Sequence, residues 1–244
     1  MEKMCKVMEV SRSGYYKWSH AQPSAQALRK AMVQERIVFH FHDSFKRYGA
    51  PKITQLLLRE GYPVTERTVG TYMAELGLRS CVSRKYKVQT TDSNHDYALA
   101  PNLLNQQFHV EKPGKVWVAD ITFIPCREGR LYLASVMDLC TREIVGWKLG
   151  SHMKTELVLD DALKEYNMTA SMSRRGNCYD NASMESFHSI LKKEFIYCTR
   201  FRTKQQAYDG IFHYIEFFYN RKRIHGSLGY VSPVRFATLF EQTA

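Results

Sequence analysis

Between Lys115 and Gly150 apolar residues return at every second position, in three successive runs separated by short polar turns. "KVWVADITFIP" sets Val116, Val118, Asp120 and Thr122 on one face and Trp117, Ala119, Ile121 and Phe123 on the other. "CREGR" turns the chain into "LYLASVMD", and "LCTR" turns it again into "EIVGWKLG". Period-two runs joined by turns this short read as a three-stranded antiparallel meander. That meander, starting near residue 109, divides the chain into a helical first part and a mixed second part.

Residues 1–80 carry the helical period. "MEKMCKVMEV" is a turn or two of amphipathic helix, and Ser11 is placed to cap a second one over "SRSGYYKW". A long helix runs through "AQALRKAMVQERIVFHFHDSF", with Leu28, Met32, Val33, Ile37, Val38 and Phe41 at three- and four-residue steps. In "YGAPKITQLLLREGYPVTERTVGTYMAELGLRS", Pro51 opens a helix and Gly61 ends it, then Thr65 caps a second helix and Gly77 ends that one. Two short helices about a tight turn match a helix-turn-helix, whose second helix offers Arg67, Thr68 and Thr71 to DNA; a plain α-hairpin has the same pattern. The sequence thus predicts an N-terminal helical region over 1–44, a helix-turn-helix over 45–80 and a polar linker over 81–108. After the meander, helices are expected over "KTELVLDDALKEYN", around Glu185 and over "KQQAYDGIFHYIEFFYN", with a short strand at "TASMS".

Lys and Arg number 35 against 24 Asp and Glu, a net charge of +11 spread through the 244 residues and interleaved with Tyr and Phe. A polyanion, nucleic acid above all, is the partner this predicts. The six cysteines form no C-x-x-C pair and meet no His at zinc spacing, which argues against a zinc module and suits a reducing cytosol. No apolar run reaches spanning length and "MEKMCKVMEV" has no uninterrupted apolar core, so a cytoplasmic protein is expected.

Two acids stand out. Asp120 lies among apolar neighbours in a strand expected to be central, where a lone carboxylate is costly unless it meets a cation, a hydrogen-bond network or a metal. Glu185 shares a helix face with His188, Ser189 and Lys192, while Met184, Phe187, Leu191 and Phe195 form the packing stripe. Taken alone, Glu185 reads as an ordinary exposed helix glutamate.

In chain order, "WVADITFI", "MDLCTREIVGW", "RRGNCYDNASMESFHSILKKE" and "YNRKRIHGSLGYVSP" resemble the insertion-sequence transposases whose core is similar to retroviral integrase. More narrowly they resemble the second open reading frame product, OrfB, of the IS3 family, and "VSRSGYYKW" and "YGAPKITQLLL" extend the resemblance to the N-terminal part. The resemblance implies an α/β, RNase H-like core over 109–244 with an Asp-Asp-Glu triad, preceded by the all-α helix-turn-helix region. Its first Asp maps to Asp120 and its Glu to Glu185. Carboxylates suit Mg²⁺ (or Mn²⁺), a hard ion that takes oxygen ligands and leaves places for phosphate and water. The implied reaction is cleavage and joining of DNA, the implied partners are the element's ends and target DNA, and a homo-oligomer on DNA is expected. Family members usually also receive an upstream segment by translational frameshifting. Arg84, Lys85 and Lys87 in the linker, Lys192 and Lys193 on the glutamate helix, and Arg221, Lys222 and Arg223 near the C-terminus are the expected DNA contacts.

The family's second Asp sits in an H-S-D-R-G-S-Q-Y motif that this sequence lacks. Only about 20 residues separate the third strand from the glutamate segment, where a helix, strand, helix and strand need roughly 45 to 50. The core is therefore expected to be partly deleted near 155–170, with the second carboxylate lost. Asp138 reads as structural, Asp160 and Asp161 fall in the spliced helix, and Asp180 reads as the cap before Glu185. A DNA-binding remnant without activity is the alternative this opens, and for this chain the missing Asp favours it.

Overall fold

Helix ends in the first part lie where the capping residues place them. The computed structural model describes residues 2–83, 101–151, 169, 171 and 178–243. Contacts divide the chain into two units, Met1–Arg79 and Ser80–Ala244. In the first, α1 (Glu2–Val7) is followed by α2 (Arg12–Ser19), whose cap Ser11 accepts the Gly14 N–H at 3.0 Å. Next come α3 (Ala25–Asp43), α4 (Ala50–Arg59) with Pro51 in its first turn, and α5 (Glu66–Glu75), capped by Thr65. Gly61 and Gly77 take φ of +84° and +66°, the left-handed turn that stops a helix and that glycine adopts without strain.

Val33, Ile37 and Phe41 of α3 join Ile53, Leu57, Val69 and Met73 in one core. Leu28 and Met32, expected in that stripe, are exposed instead. At 3.6 residues per turn they lie on the far side of α3 from Ile37, and the true stripe runs through Val33, Ile37, His40 and Phe41. Polar pairs at the margin fix the three-helix arrangement. Arg36 and His40, one turn apart, both meet Glu60, the His40 Nε2 at 2.9 Å, while Lys30 meets Glu75 at 2.7 Å.

The second unit contains the expected meander: β1 (Trp117–Cys126), β2 (Gly129–Asp138) and β3 (Ile144–Gly150), antiparallel in the order β1-β2-β3. Cys126 pairs with Gly129 across a two-residue turn, which sets Asp120 opposite Ser135 and Thr122 opposite Leu133. Val118, Thr122, Ile124, Leu131, Leu133, Ser135 and Met137 are buried. Among the described residues β1 is an edge of the sheet rather than its centre. The helix expected over 154–167 lies outside the described residues, and of the short strand expected over 169–173 only residues 169 and 171 are described, neither of them in a strand.

Helix α6 (Ala182–Glu194) packs Met184, Phe187 and Leu191 into the core. After α7 (Lys204–Phe212), capped by Thr203, the chain widens into a π-helical stretch, His213–Tyr219, where one α-helix was expected. The wider turn buries Tyr214, Ile215, Phe218 and Tyr219 together, and brings Asn220 to the sheet, where its carboxamide accepts from Ile144 N–H and donates to Ile144 C=O, both at 3.0 Å. Helix α8 (Pro233–Thr243) closes the chain. Residues 101–108, expected to be linker, are anchored to this unit by Asn102 and Gln106, which donate to Asp180 at 2.8 and 3.0 Å. Among the described residues no helix is long and apolar enough to cross a membrane.

Candidate functional site

Two elements bring the two expected acids together. β1 carries Asp120 on the face of the sheet that α6 covers, and the first turn of α6 carries Glu185. His188, one helical turn on, reaches the sheet: its Nδ1 lies 3.4 Å from Asp120 Oδ2 and its Nε2 3.0 Å from Ser135 Oγ. Asp120 Oδ1 accepts the Ile121 N–H at 2.8 Å. On the strand's outer side, Asn181, just before α6, donates to the Ala119 carbonyl at 3.3 Å. The Asp120 side chain is 37% exposed, so it is not the deeply buried charge its neighbours suggested. The site opens to solvent, as access for a large substrate requires.

The electrostatics follow from this placement. Burial pushes the Glu185 carboxyl above its ordinary pKa, the Asp120 charge pushes it further, and His188 pulls the other way. Lys192, two turns beyond Glu185, is half-buried with its ammonium 4.9 Å from the centre of the Phe123 ring. Burial lowers its pKa and Asp120 partly restores it. Two carboxylates in mutual repulsion beside a lysine form a place that favours a cation and, next to it, a phosphate.

The other acids weighed for a third ligand are engaged elsewhere. Asp138 Oδ1 accepts from Cys140 N–H, Thr141 N–H and the Thr141 hydroxyl at 2.9 to 3.1 Å, and its Oδ2 accepts from Gly114 N–H at 2.7 Å. It fastens the β2–β3 turn, the structural role expected. Asp180 does not cap α6: it holds residues 102 and 106, and the cap position is taken by Asn181. Asp160 and Asp161 lie outside the described residues. Among the described residues no three His, Cys, Asp or Glu side chains converge on one point.

The expected DNA contacts separate into groups. Arg67 and Thr71 are exposed on α5, while the Thr68 hydroxyl is engaged with Thr65 Oγ1 at 2.9 Å. Arg221 and Lys222 are exposed, and Lys192 and Lys193 are half-buried. Arg84, Lys85 and Lys87 lie outside the described residues. Arg223 is a correction: its side chain is 8% exposed and its guanidinium meets Glu194 at 2.9 to 3.1 Å. A buried guanidinium held by a buried carboxylate is part of the core and is not available to DNA. The residues sequence reasoning left without a role are His188, Ser135 and Asn181. The two-residue turn after Cys126 already places Ser135 opposite Asp120, and that was the available signal.

Comparison with known proteins gives three family matches. Residues 28–86 match the HTH-like domain, and two stretches, 110–161 and 166–233, match integrase core domains. The helix-turn-helix match thus begins inside α3, ahead of residue 45. The core matches meet with only residues 162–165 between them. A Shigella sonnei protein named as an uncharacterised 31 kDa protein of insertion element IS600 is 37% identical, over 99% of this chain and the relative's entire length. A Lactococcus lactis transposase for insertion sequence IS904 is 38% identical over 89% of this chain and 98% of its own. The Escherichia coli transposase InsF of insertion sequence IS3A is 33% identical over 97% of this chain and 93% of its own. The Shigella alignment spans 272 positions against a chain of 244 residues, so at least 28 of them have no residue of this chain opposite.

Proposed function

This chain belongs to the IS3-family insertion-sequence transposases, polynucleotidyl transferases with an integrase core, and from that premise we propose that Asp120 and Glu185 are its metal-binding carboxylates. The family acts on DNA with a divalent metal ion, and its members' names favour transposition over a bare DNA-binding remnant. Support for the assignment is a strand acid in contact with His188 and a helix acid one turn before that histidine, with the Glu185 carboxyl held up by burial and then by the charge of Asp120. Mg²⁺ is the ion such oxygen donors suit best, and Mn²⁺ substitutes. When bound, the metal activates the attacking oxygen and stabilises the leaving one in an in-line displacement. The attacking group is water in cleavage and a DNA 3′-hydroxyl in joining, so no covalent bond to the protein is needed.

The chain's own residues position the substrate. Asp120 and Glu185 hold negative charge where the scissile phosphate arrives with its cation. Lys192, packed against Phe123 and within the field of Asp120, offers a positive charge to that phosphate, and Lys193 extends it. Arg67, Thr68 and Thr71 face the element's ends from the helix-turn-helix, with Arg84, Lys85, Lys87, Arg221 and Lys222 on the DNA backbone. The protein works as a homo-oligomer on DNA, together with an upstream-frame product.

Two measurements test this. With Fe²⁺ in place of Mg²⁺, ascorbate and peroxide should cut the polypeptide next to Asp120 and next to Glu185; cutting confined to other places rejects the pair. End DNA should bind with an affinity that falls about a thousandfold between roughly 50 and 200 mM salt, as for six neutralised phosphates. A salt-independent affinity would rule out backbone contacts as the source of binding.

A further inference from the structure

His188 is the unexplained residue of the site. It sits on α6 one turn beyond Glu185, and its side chain is 7% exposed. An imidazole so buried needs partners for both nitrogens. It has them: Nε2 lies 3.0 Å from the Ser135 hydroxyl and Nδ1 3.4 Å from Asp120 Oδ2. Those partners are not independent, because Asp120 and Ser135 face each other directly across the β1–β2 ladder. One ring from the helix therefore spans a cross-strand pair in the sheet.

Nε2 makes a hydrogen bond with Ser135, while Nδ1 makes a longer polar contact with Asp120, and chemistry sets the polarity of both. An ionised carboxylate only accepts, so Nδ1 carries the hydrogen toward Asp120. In the neutral ring Nε2 then accepts, and the Ser135 hydroxyl donates to it. The chain runs Ser135 to His188 to Asp120. Its last link meets one oxygen of Asp120 while the Ile121 N–H fixes the other at 2.8 Å. Both oxygens are oriented, yet each keeps a further lone pair for a cation. With both nitrogens engaged, His188 is not free to be a ligand itself.

We propose that His188, backed by Ser135, is a positioning residue that locks the Asp120 carboxylate in the orientation needed to share a divalent ion with Glu185. This rests on the reading of Asp120 and Glu185 as the metal pair. Partners that orient ligating groups are worth about 10- to 100-fold in metal affinity. A histidine that served packing alone would not affect the metal.

Binding of Mn²⁺ alone to the full chain, followed by the electron paramagnetic resonance signal of free Mn²⁺, tests it alongside thermal unfolding. His188→Phe keeps the ring's bulk and removes both the Ser135 hydrogen bond and the Asp120 contact; Mn²⁺ should bind about 10- to 100-fold more weakly. His188→Asn leaves an amide N–H near the Nδ1 place but loses bulk. It should bind Mn²⁺ more tightly than the Phe variant even where it melts at a lower temperature. Affinity that merely tracks the melting order overturns the proposal. So does wild-type affinity in His188→Phe, and if Asp120→Asn still abolishes binding, the metal pair itself stands. Wild-type protein that binds no Mn²⁺, or that Asp120→Asn leaves unchanged, overturns both readings. Should His188→Phe fail to fold, Ser135→Ala carries the test: a weakened affinity supports the relay, and an unchanged one overturns it.

Discussion

Supplied with Mg²⁺ or Mn²⁺, its element's ends and the upstream segment, this chain is expected to transfer strands about a thousandfold more slowly than a version carrying the missing helix–strand block with its Asp. If in-line displacement here uses two ions, Asp120 and Glu185 alone would leave one of them without a carboxylate of its own. Metal stabilisation of the transition state is worth several kcal/mol, and a loss of about 4 kcal/mol corresponds to that thousandfold. Neither Asp138 nor Asp180 is placed to substitute: both are buried and held in contacts of their own, whereas Asp120 is partly open, and among the described residues no third Asp, Glu, His or Cys joins a cluster. The surplus of alignment positions over residues, and the abutting core matches at 161 and 166, both fit a block lost from this stretch. Strand-transfer assays on the two versions decide it. Robust joining by the chain as it stands, abolished by Asp120→Ala, would mean that another acid completes the site.

The second large effect is on folding. Glu194, at the end of α6, and Arg223 are both buried, and Tyr214 donates to the same carboxylate at 2.9 Å. The Arg223 Nη1 also lies 3.1 Å from His225 Nε2. Replacing Arg223 with Ala leaves a buried carboxylate facing a void, and breaking one partner of a buried pair costs about 3 to 5 kcal/mol. Against a total stability of about 5 to 15 kcal/mol, that brings the core close to unfolding. Urea unfolding should show the loss. The double change Glu194→Leu with Arg223→Met, which removes both charges and keeps apolar volume, should recover much of it. Arg221→Ala should do the reverse: an unchanged urea midpoint, weaker DNA binding and a salt slope smaller by about one. If Arg223→Ala unfolds like wild type yet loses DNA affinity as Arg221→Ala does, Arg223 is a DNA contact after all and the pair with Glu194 is dispensable.

Local physics made much of this protein legible. The caps at Ser11 and Thr65, the stops at Gly61 and Gly77 and the three alternating strands each depend on neighbours within a few residues, and all are found where the sequence places them. The motifs around Asp120 and Glu185 identified the family for the same reason: they are short and contiguous. What the sequence could not decide depends on partners distant along the chain. Arg223 and Arg221 are two apart in one basic run, and only the fold sends the first to Glu194, 29 residues back, and leaves the second in solvent. Asp138 and Asp180 carry the same carboxylate as Asp120, but the turn at Cys140–Thr141 and the segment from Asn102 claim them. Asp120 stays partly open because, among the described residues, its strand is at the sheet's edge. His188 acquired a role only when helix packing set it over a cross-strand pair. Hydrogen-bonding capacity is written in the residue, but which groups come within 3 Å of one another is settled by how the elements pack.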